Sequence, residues 1–219
     1  MLPLLKTRWA TGLTAAIFWS SLILLLFGGS QLAQAADGNA ATATASEPSN
    51  PAEPVTAKTA LLAMYSSAYK WARDVQLLGL APKDVAGVEK GAGKAAVWQA
   101  TFASPSQHAY HVYTYAIAAQ PPDIYKGVSV GNAVPWAGPV REVMPIESGS
   151  FKVDSDAAYA AAAADAAAWL KKNPTVKLSR FQLGNSYSFP SPVWYVMWGD
   201  KKSGFVAIVN ATTGTVMKK

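Results

Sequence analysis

The chain has 219 residues, and its 19 basic and 13 acidic side chains give a formal charge of +6. With 51% hydrophobic and 15% charged residues it can bury a core. It contains no cysteine and two histidines, which excludes disulfide scaffolds, thiolate metal centres and cysteine nucleophiles and leaves little room for histidine chemistry.

Residues 1–35 have the three parts of a secretory signal. Lys6 and Arg8 form a positive start, an apolar run extends from Trp9 to Phe27, and Gly28, Gly29 and Ser30 break it. Ala33-Gln34-Ala35 then offers the small-x-small pattern of a cleavage site, so cleavage is predicted after Ala35, leaving a body of net charge +4. The run is also just long enough to span a bilayer, and the alternative is an anchor retained in the inner membrane. Either way the positive end stays inside and the body lies outside the cytoplasm, periplasmic or secreted. No cysteine follows the run to accept a lipid.

Residues 36–55 are Ala, Ser, Thr and Pro with almost no large apolar side chain, which predicts a flexible linker. A first unit spans residues 56–149. It opens with a helix predicted from Ala57 to about Arg73, capped by Thr56, with Leu61, Tyr65, Ala68 and Ala72 at helical spacing and Leu62 and Tyr69 widening the stripe. Strands are predicted at 75–80, 95–103 and 109–118, separated by glycines and by Ser104-Pro105-Ser106. Residues 120–150, rich in Pro and Gly, read as a connection with one extra strand around 125–130.

A second unit spans residues 150–219. Its Ala-rich helix runs from Ser155 to Lys172, opened by Asp154 and Ser155 and stopped by Asn173-Pro174. Strands follow at 175–183, 193–198 and 205–210, the last two joined by a turn at 199–204. The two units echo each other. Val97-Trp98 and Val193-Trp194 lie 96 positions apart, and Trp71 and Trp169 lie 98 apart. The expected fold class is therefore α+β, two helix-plus-antiparallel-sheet units in tandem.

The helix entry Asp154-Ser155-Asp156-Ala157, the Ala-rich helix and the final hairpin together resemble a PepSY domain over about residues 152–217. The most specific piece is the strand running into Asn210-Ala211-Thr212-Thr213-Gly214-Thr215-Val216, with Asn210 where the family usually has Asp. An Asn or Asp there can bond the following backbone, and Gly214 supplies a left-handed position. The first unit lacks this turn. The resemblance implies a small helix-on-sheet module that binds or inhibits other proteins, as in the propeptides of thermolysin-type metalloproteases.

The residues argue against catalysis. His108 and His111, read as strand residues three apart, point to opposite faces and cannot share a metal ion. There is no Gly-x-Ser-x-Gly motif, and Gly91-Ala92-Gly93-Lys94 is too short for a phosphate loop. Asp154, Asp156 and Asp165 fit capping and solubility, and Glu142 and Glu147 fall in the connection. The expectation is a protein that is not an enzyme and carries no cofactor and no metal.

Charge and aromatic patterning suggest a binding surface instead. Residues 36–149 carry net −1 and residues 150–219 net +5. In the strand 193–198, Trp194, Val196 and Trp198 should face the helix, which leaves Tyr195 and Met197 on the opposite face. Either the sheets of the two units cover each other there, the expectation favoured here, or a partner does. Tyr195 and Met197, with Lys201 and Lys202 in the following turn, form the candidate partner-binding set. The expected partner is an extracytoplasmic protein, a peptidase being one candidate, and not nucleic acid. Membrane contact would come only through the N-terminal segment if it is uncleaved. The competing reading is a binder of a small ligand or an anionic envelope polymer.

N-terminal sequencing of the protein recovered from the cell envelope should begin at Ala36. Recovery of chains still carrying Trp9–Phe27 would establish the anchor instead.

Overall fold

A computed structural model of the chain describes residues 53–84 and 91–217. The predicted signal and nearly all of the predicted linker lie outside the described residues, as do Lys218 and Lys219. Helix α1 (Ala57–Trp71) is followed by strands β1 (Gln76–Pro82), β2 (Val97–Ser104) and β3 (Ala109–Ala116). The connection holds β4 (Gly127–Val130), β5 (Val134–Pro135) and a 3-10 turn at Ser148–Ser150. Helix α2 (Ser155–Lys172) then leads into β6 (Leu178–Gly184), β7 (Val193–Trp198) and β8 (Phe205–Asn210).

The strands form one antiparallel sheet in the order β4-β3-β2-β1-β6-β7-β8, with β5 also paired to β3. The fold is thus α+β with an eight-stranded sheet. In it β1-β2-β3 on one side of the centre is mirrored by β6-β7-β8 on the other, with β4 and β5 added beyond β3. This corrects the expectation of two sheets covering each other. The chain's two halves are joined edge to edge instead, because β1 and β6 pair directly through Gly79 with Gly184 and Leu80 with Leu183. Beyond these two pairs the seam is completed by the connection. Ile146 N–H donates to Leu77 O (2.7 Å), Met144 N–H to Asn185 O (2.9 Å), and the Asn185 side-chain amide to Pro145 O (2.8 Å). The 120–150 stretch is therefore built into the sheet's end, which its Pro and Gly content concealed.

Both helices lie in contact with strands of this sheet and share one apolar core. Alternation along the strands works as expected: Trp98, Ala100 and Phe102 from β2 and Trp194, Val196 and Trp198 from β7 all enter the core. Phe181 stacks on Trp194 at 4.8 Å, and Tyr159 of α2 lies 6.0 Å from Trp198. The buried indoles of Trp98 and Trp194 also find polar partners. Trp98 Nε1 donates to Val55 O and Trp194 Nε1 to Val153 O, both at 3.0 Å.

The buried face of α1 is Ala57, Ala60, Met64 and Ala68, rather than the larger stripe expected from spacing. Leu62, Tyr65 and Tyr69 are instead exposed. In α2 the buried residues are Ser155, Ala158, Ala162 and Ala166, each 98 positions after its α1 counterpart. Small side chains let a helix axis approach the pleated surface closely, and that approach leaves no space beneath it for Leu or Tyr.

The N-termini of the helices meet, and one pair of side chains caps both. Asp154 Oδ1 accepts from Ser155 N–H (2.7 Å) and from Lys58 N–H (3.0 Å), while Ser155 Oγ accepts from the buried Ala57 N–H (2.8 Å). Thr56, the expected cap of α1, makes no capping bond and turns its hydroxyl to Thr59. Gly93 packs against this junction with φ +77°, and a Cβ there would fall 2.2 Å from Ser155 O.

Ser155→Ala should therefore cost about 1–3 kcal/mol, since it strands a buried N–H of the other helix, whereas Thr56→Ala should stay within about 0.5 kcal/mol. Denaturant unfolding of the two variants checks this, and equal losses would refute the shared cap.

Candidate functional site

The sheet face away from the helices carries the residues that the sequence singled out. Tyr195 is half-buried there, and Met197 is only 8% exposed. Tyr195 lies between Gln182 of β6 and Ile208 of β8, and Met197 between Arg180 and Val206. The Arg180 guanidinium sits 5.7 Å from the centre of the Tyr195 ring. A long arginine laid across its neighbours shields apolar surface while its charge stays in water, with a cation–π contribution from the ring. Met197 thus offers little surface to a partner, and the accessible pair is Tyr195 with Arg180. Arg180 was missed as a site residue because only strand register places it over a tyrosine 15 positions away.

Lys201 and Lys202 are exposed in the β7–β8 turn. The end of β7 at Trp198 is three residues beyond Tyr195, about 10 Å of strand. The lysines therefore belong to the sheet's rim and not to the Tyr195 patch itself. Their turn is organised by Asp200, whose carboxylate accepts from Ser203 N–H (2.9 Å), Ser203 Oγ (2.8 Å) and Lys202 N–H (2.7 Å). These donors hold the Asp200 carboxyl below its ordinary value, those from Ser203 most strongly. Asp74 is lowered likewise, chiefly by Ser104 Oγ at 2.6 Å and then by Ser106 N–H at 2.8 Å, which ties the exit of α1 to the β2–β3 hairpin. The resembling turn behaves as expected too. Asn210 Oδ1 accepts from Thr212 N–H (2.8 Å) and Thr213 N–H (3.0 Å), and Gly214 takes φ +80°. The Asn210 amide also donates to Ser191 Oγ at 2.8 Å, a bond that an ionised Asp could not donate.

Of the two histidines, His111 lies on a strand as read from the sequence and His108 does not. His108 is not in a strand but in the turn before β3, with φ +49°. His111 is on β3, its Nδ1 2.7 Å from Gly131 O and its ring edge-on to Trp71 at 4.5 Å. Among the described residues no three His, Cys, Asp or Glu side chains gather closely enough to hold a metal ion.

A feature that the sequence did not announce is an open cleft of about 660 Å³ beside the β1–β6 seam. Five prolines contribute to its walls, with Trp136, His108, Gln76 and Asn185, and Glu147 is the one formally charged side chain lining it. It forms only because the connection packs back against the sheet's end.

No protein-family model matches the chain, and no curated protein matches it. A solved structure of partial similarity is that of a "putative lipoprotein" from Clostridium difficile 630. It is 11% identical with a TM-score of 0.45, over 76% of this chain and 93% of that one, too distant to transfer fold or function. Among the described residues no helix is long and apolar enough to cross a membrane.

Because the folded-state value of Asp200 is depressed, its contribution is present above the unfolded value of about 4 and is lost as pH falls through the folded value. A carboxyl-detected NMR titration should place Asp200 below 3.8, and amide exchange at Lys202 and Ser203 should quicken on acidification below it. Asp200→Asn should abolish that acid dependence; its persistence would assign the effect to another group.

Proposed function

We propose that this chain is an exported, non-enzymatic protein-binding protein built from two PepSY-like α-β-β-β units in tandem. Its partner is another extracytoplasmic protein, with a peptidase as one candidate. The tandem reading is supported by the constant offset of 98 between the buried positions of α1 and α2. It is supported also by the two matching indole bonds to residues just ahead of each helix. Export rests on the sequence of residues 1–35.

The observation that carries the binding reading is the sheet face without a helix. Gln99 and Thr101 of β2 and Thr114 of β3 are half-buried there, Gln182 is exposed, and Tyr195 and Arg180 form an amphipathic patch beside them. A broad sheet surface with an aromatic anchor, an arginine and lysines at its rim suits a protein partner. The lysines steer an acidic partner, and contact at Tyr195 sets the residence time.

The cleft of about 660 Å³ favours a second reading, a small-ligand binder, since the volume suits a drug-sized molecule. With Glu147 as its charged lining, it favours a neutral or cationic ligand over an anionic polymer.

Binding kinetics with a partner cross-linked to the protein in the envelope would separate the surfaces. Tyr195→Ala should raise the off-rate, and the Lys201→Glu, Lys202→Glu double variant should slow association, most clearly at low salt. Wild-type kinetics in both variants would remove this face from consideration.

A further inference from the structure

The two helices supply an internal comparison. Their buried positions coincide at an offset of 98, so α2 shows what the fold requires at each position of α1. At three further positions it carries only alanine, Ala160 and Ala167 exposed and Ala163 half-buried against the core. At the corresponding positions α1 carries Leu62, Tyr65 and Tyr69, which are 71%, 42% and 41% exposed. Core packing does not account for Leu62 and Tyr69, whereas Tyr65 also meets the core at Phe102.

They are also arranged. Tyr65 and Tyr69 stack with centroids 6.1 Å apart, and Tyr65 meets Phe102 edge-on at 5.9 Å, which holds the ridge in place. Beside it an apolar groove of about 360 Å³ runs between α1 and residues 145–151, with Leu61, Phe102, Ile146 and Phe151 in its walls. Ridge residues at i, i+3 and i+7 beside such a groove have the form that packs against another helix.

The charges select the partner. Helix α1 contains no acidic residue. Lys58 Nζ lies 5.2 Å from the centre of the Phe151 ring near one end, and the Arg73 guanidinium lies 4.4 Å over Tyr69 near the other, with Lys70 adjacent. Three carboxylates are close by, one of them Asp154, which accepts from the Lys58 backbone N–H at 3.0 Å. Glu147 lines the groove, and Asp74 follows Arg73 but turns its oxygens to Ser104 and Ser106. A second copy docking α1 on α1 would set these cations against their own kind.

We infer that the outer face of α1 and its groove dock an amphipathic helix of a partner protein whose polar positions are acidic. This surface is separate from the Tyr195 face, and it stands or falls independently of that proposal.

The test uses the purified protein and two fluorescein-labelled helical peptides with one leucine stripe, their polar positions Glu in one and Lys in the other. Fluorescence anisotropy should show binding of the Glu peptide, at least about tenfold weaker binding of the Lys peptide, and weakening by salt. Leu62→Ala with Tyr69→Ala should lower affinity for the Glu peptide about tenfold or more with the melting temperature unchanged. Lys70→Glu with Arg73→Glu should shift preference towards the Lys peptide. Absence of binding, equal affinity for the two peptides, or indifference to Leu62→Ala with Tyr69→Ala would overturn the inference. So would a dimer in sedimentation that Leu62→Ala abolishes, because the face would then belong to a second copy.

Discussion

Two helix N-termini converge on Asp154 and Ser155, and this convergence constrains the rest of the molecule. Like ends of helix dipoles repel, and each end brings amide hydrogens that need acceptors. A carboxylate that accepts from both helices answers the two demands together, and the Ser155 hydroxyl covers the buried Ala57 amide. The helices can then lie on one sheet with their starts in contact, and the closely fitted Gly93 fills the junction. The bond from Lys58 Nζ to Lys152 O adds a further polar link between the starts of α1 and α2.

The seam between β1 and β6 shows the same economy. Two residue pairs are few for a join between halves of an eight-stranded sheet. The connection supplies the remaining bonds at Leu77 and Asn185, so the stretch between the halves becomes part of the join. The cleft beside the seam follows from that path, since prolines in its walls leave backbone that cannot extend the sheet.

The surfaces proposed for binding are positions where the halves of the chain differ. The cores repeat: alanines under each helix, a tryptophan opening the central strand of each half, the same indole bond. Outside the core the repetition stops. Helix α1 bears an aromatic ridge with cations where α2 bears alanines, and β7 carries Tyr195 where β2 carries Gln99. Packing preserves what both halves need, and the departures are free to serve contacts with other molecules.

The sequence by itself determined the helices, most of the strands and the faces those strands turn to the core. Each of these follows from local pattern: period two in Val193–Trp198, alanine and a Pro stop in Ser155–Lys172, side chain to backbone bonding after Asn210. Tertiary structure alone decided how the strands associate. Edge-to-edge joining and face-to-face stacking use the same strand patterns, and only the paired backbone groups of Gly79, Leu80, Leu183 and Gly184 distinguish them. Helix α1 shows the same division. Its periodicity allowed the bulky stripe to lie inward, but a neighbouring sheet close enough to exclude Leu62 and Tyr69 turned the alanines in. Arg180 over Tyr195, the Ser155 cap on α1 and the cleft walls join residues from 15 to 116 positions apart. Contacts of that kind depend on distances in space, which local sequence does not encode.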